Sequence, residues 1–521
     1  MSFLLACLLC LGSAAAFAPA AAPDLSVTIR SDALNSAAQV YTAAGALAKN
    51  GLLGKNWTTA SLKAFLPKAY EACPDCPLGY QLLVVTPPVS DLTEASATAH
   101  VSGAILNLTA GPKGSPVQNL LLGLSLNASV GLSFSNVPAA SGDFIKVKVG
   151  STPTLHFDVV ESALGPLPTG IINNLAPILN LIIRSFVVPY FNNVFPGFPL
   201  PALSGFKITG AAFATHQDSV GVSLNIAPTP HAFQQGPAAL AAALMPASII
   251  RSLPPGFSGP GVIVTVGGSG LTKVLQGLVP DLVKAVNGMV IPAMSGQASG
   301  VSYTVNAIAL SGFAIGSATI SFASGQGLVL KLGGLSLNVP STGFKIQKKI
   351  KIGPIHKKVH CSGHMSGSLS GASVSEAVNI TAVKGSPHIT QASGNWNFGS
   401  LSVHEKMDHT ACKVIQNIAS WFTGNINKLI QKQIVAMVPK AVDGIIASGG
   451  NKALAQLVTT KRVDKWAAVN FYLTQDPTSA SNALEIDLSG QFVKASQGPA
   501  DTAGFASNEV ASSNQRQVII Y

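Results

Sequence analysis

Charge and aromatic rings are scarce in this chain. Of its 521 residues only 10% are charged and 6% aromatic, against 47% hydrophobic and a mean hydropathy of +0.41. That balance excludes a disordered polyelectrolyte and gives enough apolar side chains for a large core, with length for two or more domains. No G-x-S-x-G elbow, HExxH, phosphate-binding loop or dinucleotide fingerprint occurs, so the chain reads as a non-enzyme with no cofactor. Membrane-length apolar runs are also lacking. Phe3 to Gly12 is too short to span, and the apolar stretch Thr169 to Val194 contains Arg184, Pro177 and several asparagines.

Cysteine is sparse and placed for an oxidising compartment. Small residues follow Phe3–Gly12, with Ala14 and Ala16 set for cleavage, so residues 1–16 read as a signal peptide without basic residues. The AAAFAPA run also resembles presequences of secondary plastids, so secretion is expected, with a plastid or endomembrane lumen as the alternative. Cys73, Cys76, Cys361 and Cys412 remain after cleavage. Cys73-Pro-Asp-Cys76 fits a local disulfide rather than a redox motif, and Cys361 with Cys412 makes the natural second pair. Asn56, Asn107, Asn127 and Asn379 head N-glycosylation sequons.

The positive charge is concentrated. Before Gly236 there are 10 Lys and Arg against 10 Asp and Glu; after it, 22 against 11. Phe344 to Cys361 alone holds Lys345, Lys348, Lys349, Lys351, Lys357 and Lys358 with no carboxylate. Ile346, Ile350 and Ile352 alternate with polar neighbours and Gly353-Pro354 interrupts them, which predicts two strands joined by a turn. Three readings compete for it: a solvated strand end, a site for anionic lipid or glycolipid, and a nucleic-acid surface. The absence of interleaved Tyr or Trp argues against nucleic acid. His356, His360 and His364 share strand parity near Cys361; a metal site there is disfavoured, because the first two sit among lysines.

Along the chain, a strand at Leu25–Arg30 leads into a helix capped by Ser31-Asp32 and running to about Leu53. A helical piece at Thr58–Glu71 and a long antiparallel meander over Gln81–Val159 follow. In the helical segment Thr169–Val194, Ile171, Leu175, Ile178, Ile182 and Phe186 make one apolar stripe. After a Pro/Ala/Gln-rich connector at 227–259 the order repeats: a strand at Pro260–Val266, a helix at Leu271–Met289, a meander containing the lysines, and a long helix at Cys412–Ile446. On that helix Val414, Ile418, Trp421 and Phe422, followed by Ile426, Ile430 and Val435, are expected inward. Two halves of one order predict an internal duplication.

These features bring a family into view. SDALNSAAQVYTAAGAL, FLPKAY before a turn and GFPLP after a long helix make residues 25–226 resemble the C-terminal module of the family of bactericidal/permeability-increasing protein, lipopolysaccharide-binding protein and plasma lipid-transfer proteins. PGVIVTVGGSGL and ASWFTGNINKLIQKQI make 260–495 resemble its N-terminal module. The modules therefore stand in reversed order, 17–226 before 260–495. The tail 496–521 includes NQRQVIIY, which resembles a strand of the first module; it suggests a circular permutation or a truncated gene model.

The resemblance implies an α+β boomerang of two pseudo-symmetric barrel-like modules, each a twisted antiparallel sheet wrapped round a long helix, joined by a central sheet. It implies bound phospholipid in apolar pockets beside Ile171, Leu175, Ile178, Ile182, Phe186, Ile418, Phe422 and Ile426. It further implies lipopolysaccharide or another anionic lipid surface as partner for the six lysines, in a monomer that does not bind nucleic acid. The family disulfide would join positions near Gln391 and Val438, which are not cysteines, and Cys361–Cys412 is the substitute. The alternative from a different class is a cell-wall or matrix adhesion protein with empty pockets.

Overall fold

A computed structural model describes residues 23–54, 56–112, 119–137, 144–150, 153–165, 171–195, 197–200, 206–228, 253–298, 300–323, 327–352, 355–383, 386–408, 416–455, 460–479 and 482–495. The expected leader, most of the connector, the tail and Cys412 lie outside them. Among the described residues the α-helices are α1 (Ser31–Ala43), α2 (Pro67–Ala72), α3 (Ile171–Ile182), α4 (Val188–Val194), α5 (Gly268–Asn287) and α6 (Gln416–Ala455). Every strand pair among the described residues is antiparallel. The fold is the expected α+β type: mostly antiparallel sheet curled into two half-barrels.

A six-stranded central sheet joins the two halves, in the order Phe206–His216, Ser219–Pro228, Leu25–Arg30, Val262–Gly267, Ala483–Leu488 and Thr478–Ser479. Its middle pair is the opening strand of each half, in antiparallel register with Val27 opposite Val264. Both strands alternate buried and half-buried residues, and each runs directly into a helix, α1 and α5 respectively. The expected Ser31-Asp32 cap is not formed. Arg30 occupies the capping position without a side-chain hydrogen bond, while Asp32 Oδ2 accepts the Ser258 N–H at 2.9 Å and the Ser258 hydroxyl at 3.0 Å. That carboxylate ties the first helix to the approach to the second half instead. The helix also stops at Ala43, ten residues short of the expected end, and a short strand, Lys49–Leu52, follows.

Two further contacts lock this junction. Buried Asp24 accepts the Ile226 N–H at 3.0 Å and Lys273 Nζ at 2.5 Å. Burial works to raise its pKa, but the Lys273 ammonium and the Ile226 amide outweigh it and hold the carboxyl below its ordinary value. Ser36 Oγ on α1 accepts the Phe492 N–H at 3.0 Å, so the last described strand, Gln491–Lys494, closes on the first helix.

Each half adds an eight-stranded curled sheet. In the second, Gly327–Ile352 and Ile355–Val383 form one long hairpin. Buried residues along its first strand run Leu328, Leu330, Leu332, then Leu335, Leu337, Val339, then Phe344, Ile346. Parity changes where the pairing register shifts, first at Leu332/Leu335, where Gly334 has φ +63°, and again at Val339/Thr342. Each shift inserts an unpaired residue and bends the strand round the core.

Helix α6 lies inside this curl. Ile426, Ile430, Ile434, Val438, Val442 and Ile446 are all buried, each four residues from the last. Four residues advance about 40° beyond a full turn, so the buried stripe winds round the helix, following the twist of the sheet. The same winding explains a departure from expectation: Val435 is 40% exposed, and its neighbour Ile434 takes the inward place.

Candidate functional site

In the first half a cavity of about 180 Å³ lies between α1, the long apolar helix and the first curled sheet. Its helix wall is not the stripe read from sequence. Between α3 and α4 the chain makes a π-helical turn over Ile183–Val187, where the Val188 N–H bonds the Ile183 carbonyl. Pro189 follows at the second position of α4 and has no N–H for the Ser185 carbonyl. The wider turn absorbs that break and inserts a residue, rotating the helix surface beyond it. Leu175 and Ile182 are buried in the core, and Ile178 and Phe186 pack half-buried against it, whereas Ile183, Val187, Val188 and Phe191 face the cavity. Of the side chain of Ile171 nothing is described.

Val101 and Ala104 line the opposite wall together, although strand alternation would send them to opposite faces. Gly103, at φ +64°, sits in a register shift between them and turns both inward. Ser90 and Tyr41 are the polar side chains of the lining. Tyr41 donates its hydroxyl to Asp464 Oδ2 at 2.7 Å; burial first and this carboxylate second push its phenol above the ordinary range. Its polar end is thus satisfied, leaving an apolar ring at the cavity.

A second cavity of about 90 Å³ lies in the other half, between Leu271, Leu275 and Leu278 of α5, Ile446 and Leu454 of α6, and Leu330 and Val378 of the long hairpin. Ile426 belongs to the core beside it, further toward the start of α6. The side chains of Ile418 and Phe422 lie outside the described residues.

Beside this second cavity is a group that the sequence reading missed. Glu376 is 2% exposed and points inward between Val374 and Val378. Burial and the neighbouring Asp443 carboxyl, with which it shares a hydrogen bond, push its pKa to about 7. Parity was the available signal: Ala372, Val374 and Val378 are buried on the same face. A carboxyl whose folded pKa exceeds its unfolded value of 4.5 contributes stability below pH 4.5 and loses it as pH rises toward 7. Wild-type protein should therefore lose on the order of 2–3 kcal/mol of unfolding free energy between pH 5 and 8 in urea titrations from this group. Glu376→Gln should remove that slope, and an identical slope in the variant would rule out Glu376 as its source.

The lysine stretch forms the end of the long hairpin, with Lys345 opposite Ser362, Lys348 opposite Val359, Lys349 opposite Lys358, Lys357 opposite Ile350, and Lys351 opposite His356. Neighbouring strands stop at Lys348 on one side and Gly363 on the other, so beyond them the hairpin continues as a two-stranded ribbon. Lys345, Lys349 and Lys358 are exposed on the face opposite buried Phe344 and Ile346, while exposed Lys357 and half-buried Lys348 share the other face. Of the side chain of Lys351 nothing is described. Among the described residues, none of the other five pairs with a carboxylate. Lys349 and Lys358 stand directly opposite each other, a like-charge pairing that is unfavourable unless an anion relieves it.

Comparison with known proteins adds a likeness to a family. Residues 29–227 match the model of the LBP / BPI / CETP family, C-terminal domain. The matched residues lie in the first half of the chain, which is similar to that domain. Among solved structures, lipopolysaccharide binding protein is similar at 9% identity over 90% of this chain and 98% of its own, with TM-score 0.25. P47 of Clostridium botulinum E1 is similar at 9% identity over 89% and 98%, TM-score 0.35. Takeout 1 of Epiphyas postvittana matches at 14% identity over 36% of this chain and 91% of its own, TM-score 0.24. Both cavities described above have an almost wholly apolar lining.

Cys73 and Cys76 are joined in a disulfide. Cys361 is also disulfide-bonded; its expected partner, Cys412, lies outside the described residues. His364 Nδ1 is 3.3 Å from Asp408 Oδ1, and Asp408 Oδ2 accepts the Ser362 hydroxyl at 2.8 Å, at the base of the ribbon. Asn56, Asn127 and Asn379 are exposed and Asn107 is half-buried in mid-sheet. No helix among the described residues is long and apolar enough to cross a membrane.

Proposed function

We propose that this protein is a secreted, non-enzymatic lipid carrier that holds alkyl or acyl chains in its two apolar slots and meets anionic lipid or lipopolysaccharide through the lysine ribbon. The observation that carries the reading is the first cavity. It is enclosed by a helix and a curled sheet, and its one prominent polar group, the Tyr41 hydroxyl, is turned away to Asp464. A chain without hydrogen-bonding groups completes such a lining without leaving a polar atom unpaired. The ribbon supplies capture: each lysine near an anionic surface contributes roughly 1 kcal/mol, screened by salt.

Modules in reversed order, with 17–226 first, 260–495 second and the tail 496–521 returning to the first, are part of the same reading. So are a monomeric state, glycosylation at the exposed sequons and the Cys361–Cys412 link. Native mass spectrometry of protein secreted from a eukaryotic host should show one or two stoichiometric lipids, identified after denaturation. A lipid-free mass for the folded protein would overturn the carrier reading and favour a matrix or surface protein with empty slots.

A further inference from the structure

The face that carries Lys345, Lys349 and Lys358 does not end with the ribbon. Pairing along the second strand of the long hairpin keeps one register from Ile355 to Met365, so His360, Ser362 and His364 lie on the same side of the sheet as Lys358. Cys361, Gly363 and Met365 are buried on the other side. The neighbouring strand, Ser400–Met407, carries the face on, with Lys406 opposite His364 and His404 opposite Ser366. Both are exposed, while Val403 and Met407 turn inward. At the usual rise per residue the face runs on the order of 25 Å from the Lys349–Lys358 pair to His404. Its positions hold lysine, histidine, glutamine and serine, which offer donors to phosphate oxygens and nothing to hydrocarbon. Between positions 341 and 408 the acids are Glu376, Glu405 and Asp408. Glu376 is buried and Glu405 has the inward parity. Asp408, at the strand end, is the acid on this side among the described residues, and its Oδ1 lies 3.3 Å from His364 Nδ1.

We propose that this whole outward face, rather than the ribbon alone, lies against an anionic bilayer, with Lys406 as a further contact and His360, His364 and His404 strengthening the grip in acid. The inference rests on the reading that the ribbon lysines meet anionic lipid. Near neutral pH an ordinary imidazole is mostly uncharged, and it takes a proton between about pH 7 and 5. The charged side chains around each histidine are known from the register. Lys345, Lys349 and Lys358 surround His360, Lys406 and Asp408 flank His364, and Lys406 with the inward Glu405 neighbours His404. Protonation of His364 therefore offsets Asp408, and protonation of the other two adds cations beside lysines. A layer of lipid phosphates favours the charged imidazole, so protonation and binding support each other and affinity rises as pH falls.

Co-sedimentation of the full-length protein with phosphatidylglycerol vesicles at pH 7.5 and 5.5, at one salt concentration, reads this directly, because that lipid keeps its charge over the range. Wild-type protein should bind at least about tenfold more tightly at pH 5.5. The His360→Gln, His364→Gln, His404→Gln triple variant should bind within about twofold of wild type at pH 7.5 and gain less than about threefold on acidification. His404→Gln alone, which gives up a 3.3 Å contact with exposed Ser402, is the second variant if the triple one does not fold, and should reduce the pH ratio by at least about twofold. Lys406→Glu should weaken binding about tenfold or more at both pH values and leave their ratio unchanged. Equal wild-type affinity at the two pH values, or a gradient that survives the triple substitution, would overturn the role of the histidines. Full binding by Lys406→Glu would overturn the extended face and confine contact to the ribbon. No wild-type binding at either pH would overturn the ribbon reading itself.

Discussion

Glutamate at positions 345, 349 and 358 together should weaken binding to phosphatidylglycerol vesicles by on the order of a thousandfold or more. These three lysines project from one exposed face of the ribbon, and none pairs with a carboxylate among the described residues. Removing their attraction costs roughly 3 kcal/mol, and the introduced negative charges add repulsion of similar size. The fold should tolerate the change, since surface substitutions away from buried contacts typically alter stability by about 0.5 kcal/mol or less. Relief of the Lys349–Lys358 opposition in a single Lys349→Glu variant should even favour the hairpin. Wild-type binding should fall steeply with added salt, whereas the triple variant should show little binding to lose. Vesicle co-sedimentation at two salt concentrations reads both effects. Unchanged binding by the triple variant would remove the ribbon from the capture step.

The second large effect is expected inside the first slot. Ala104 is fully buried and lines the cavity directly after the Gly103 bulge. Ala104→Phe would place an aromatic ring in the space a lipid chain needs, while the open volume of about 180 Å³ spares most of the usual overpacking cost of 1–3 kcal/mol. The protein should fold with a melting temperature close to wild type and lose one lipid equivalent in native mass spectrometry. Binding to vesicles through the ribbon should persist. If the full lipid complement remained with the ring in place, the first cavity would not be the chain-binding slot.

Much of the architecture is legible in the sequence because local patterns there agree with the tertiary environment. The alternation in Phe344–Ile352 and the repeated strand-helix-meander order translate directly into the long hairpin and the paired halves. Legibility fails where one residue shifts the period. The stripe through Leu175 and Ile182, expected beside a pocket, lies in the core, and the π turn ahead of Pro189 hands the cavity wall to Ile183, Val187 and Phe191. Val101 and Ala104 escape strand periodicity because of Gly103, and Ile434 displaces Val435 because the stripe on α6 keeps winding. Glu376 was hidden for a different reason. Its strand reads as alternating Ser and Ala with a few valines, and a lone glutamate there looks solvated until its parity is aligned with Val374 and Val378.

The central sheet has a consequence for how the chain is made. Leu25–Arg30 can pair with Ser219–Pro228 once about the first 230 residues have emerged, but its other edge stays open until Val262–Gly267 arrives, and that strand in turn waits for Ala483–Leu488. Ser36 waits longest, with its partner Phe492 lying 456 residues downstream. At the usual pace of synthesis that leaves an adhesive strand edge exposed for tens of seconds. Neither half can be finished before both are synthesised, so a nascent chain stalled in the second half is a template for intermolecular pairing rather than a folded first half.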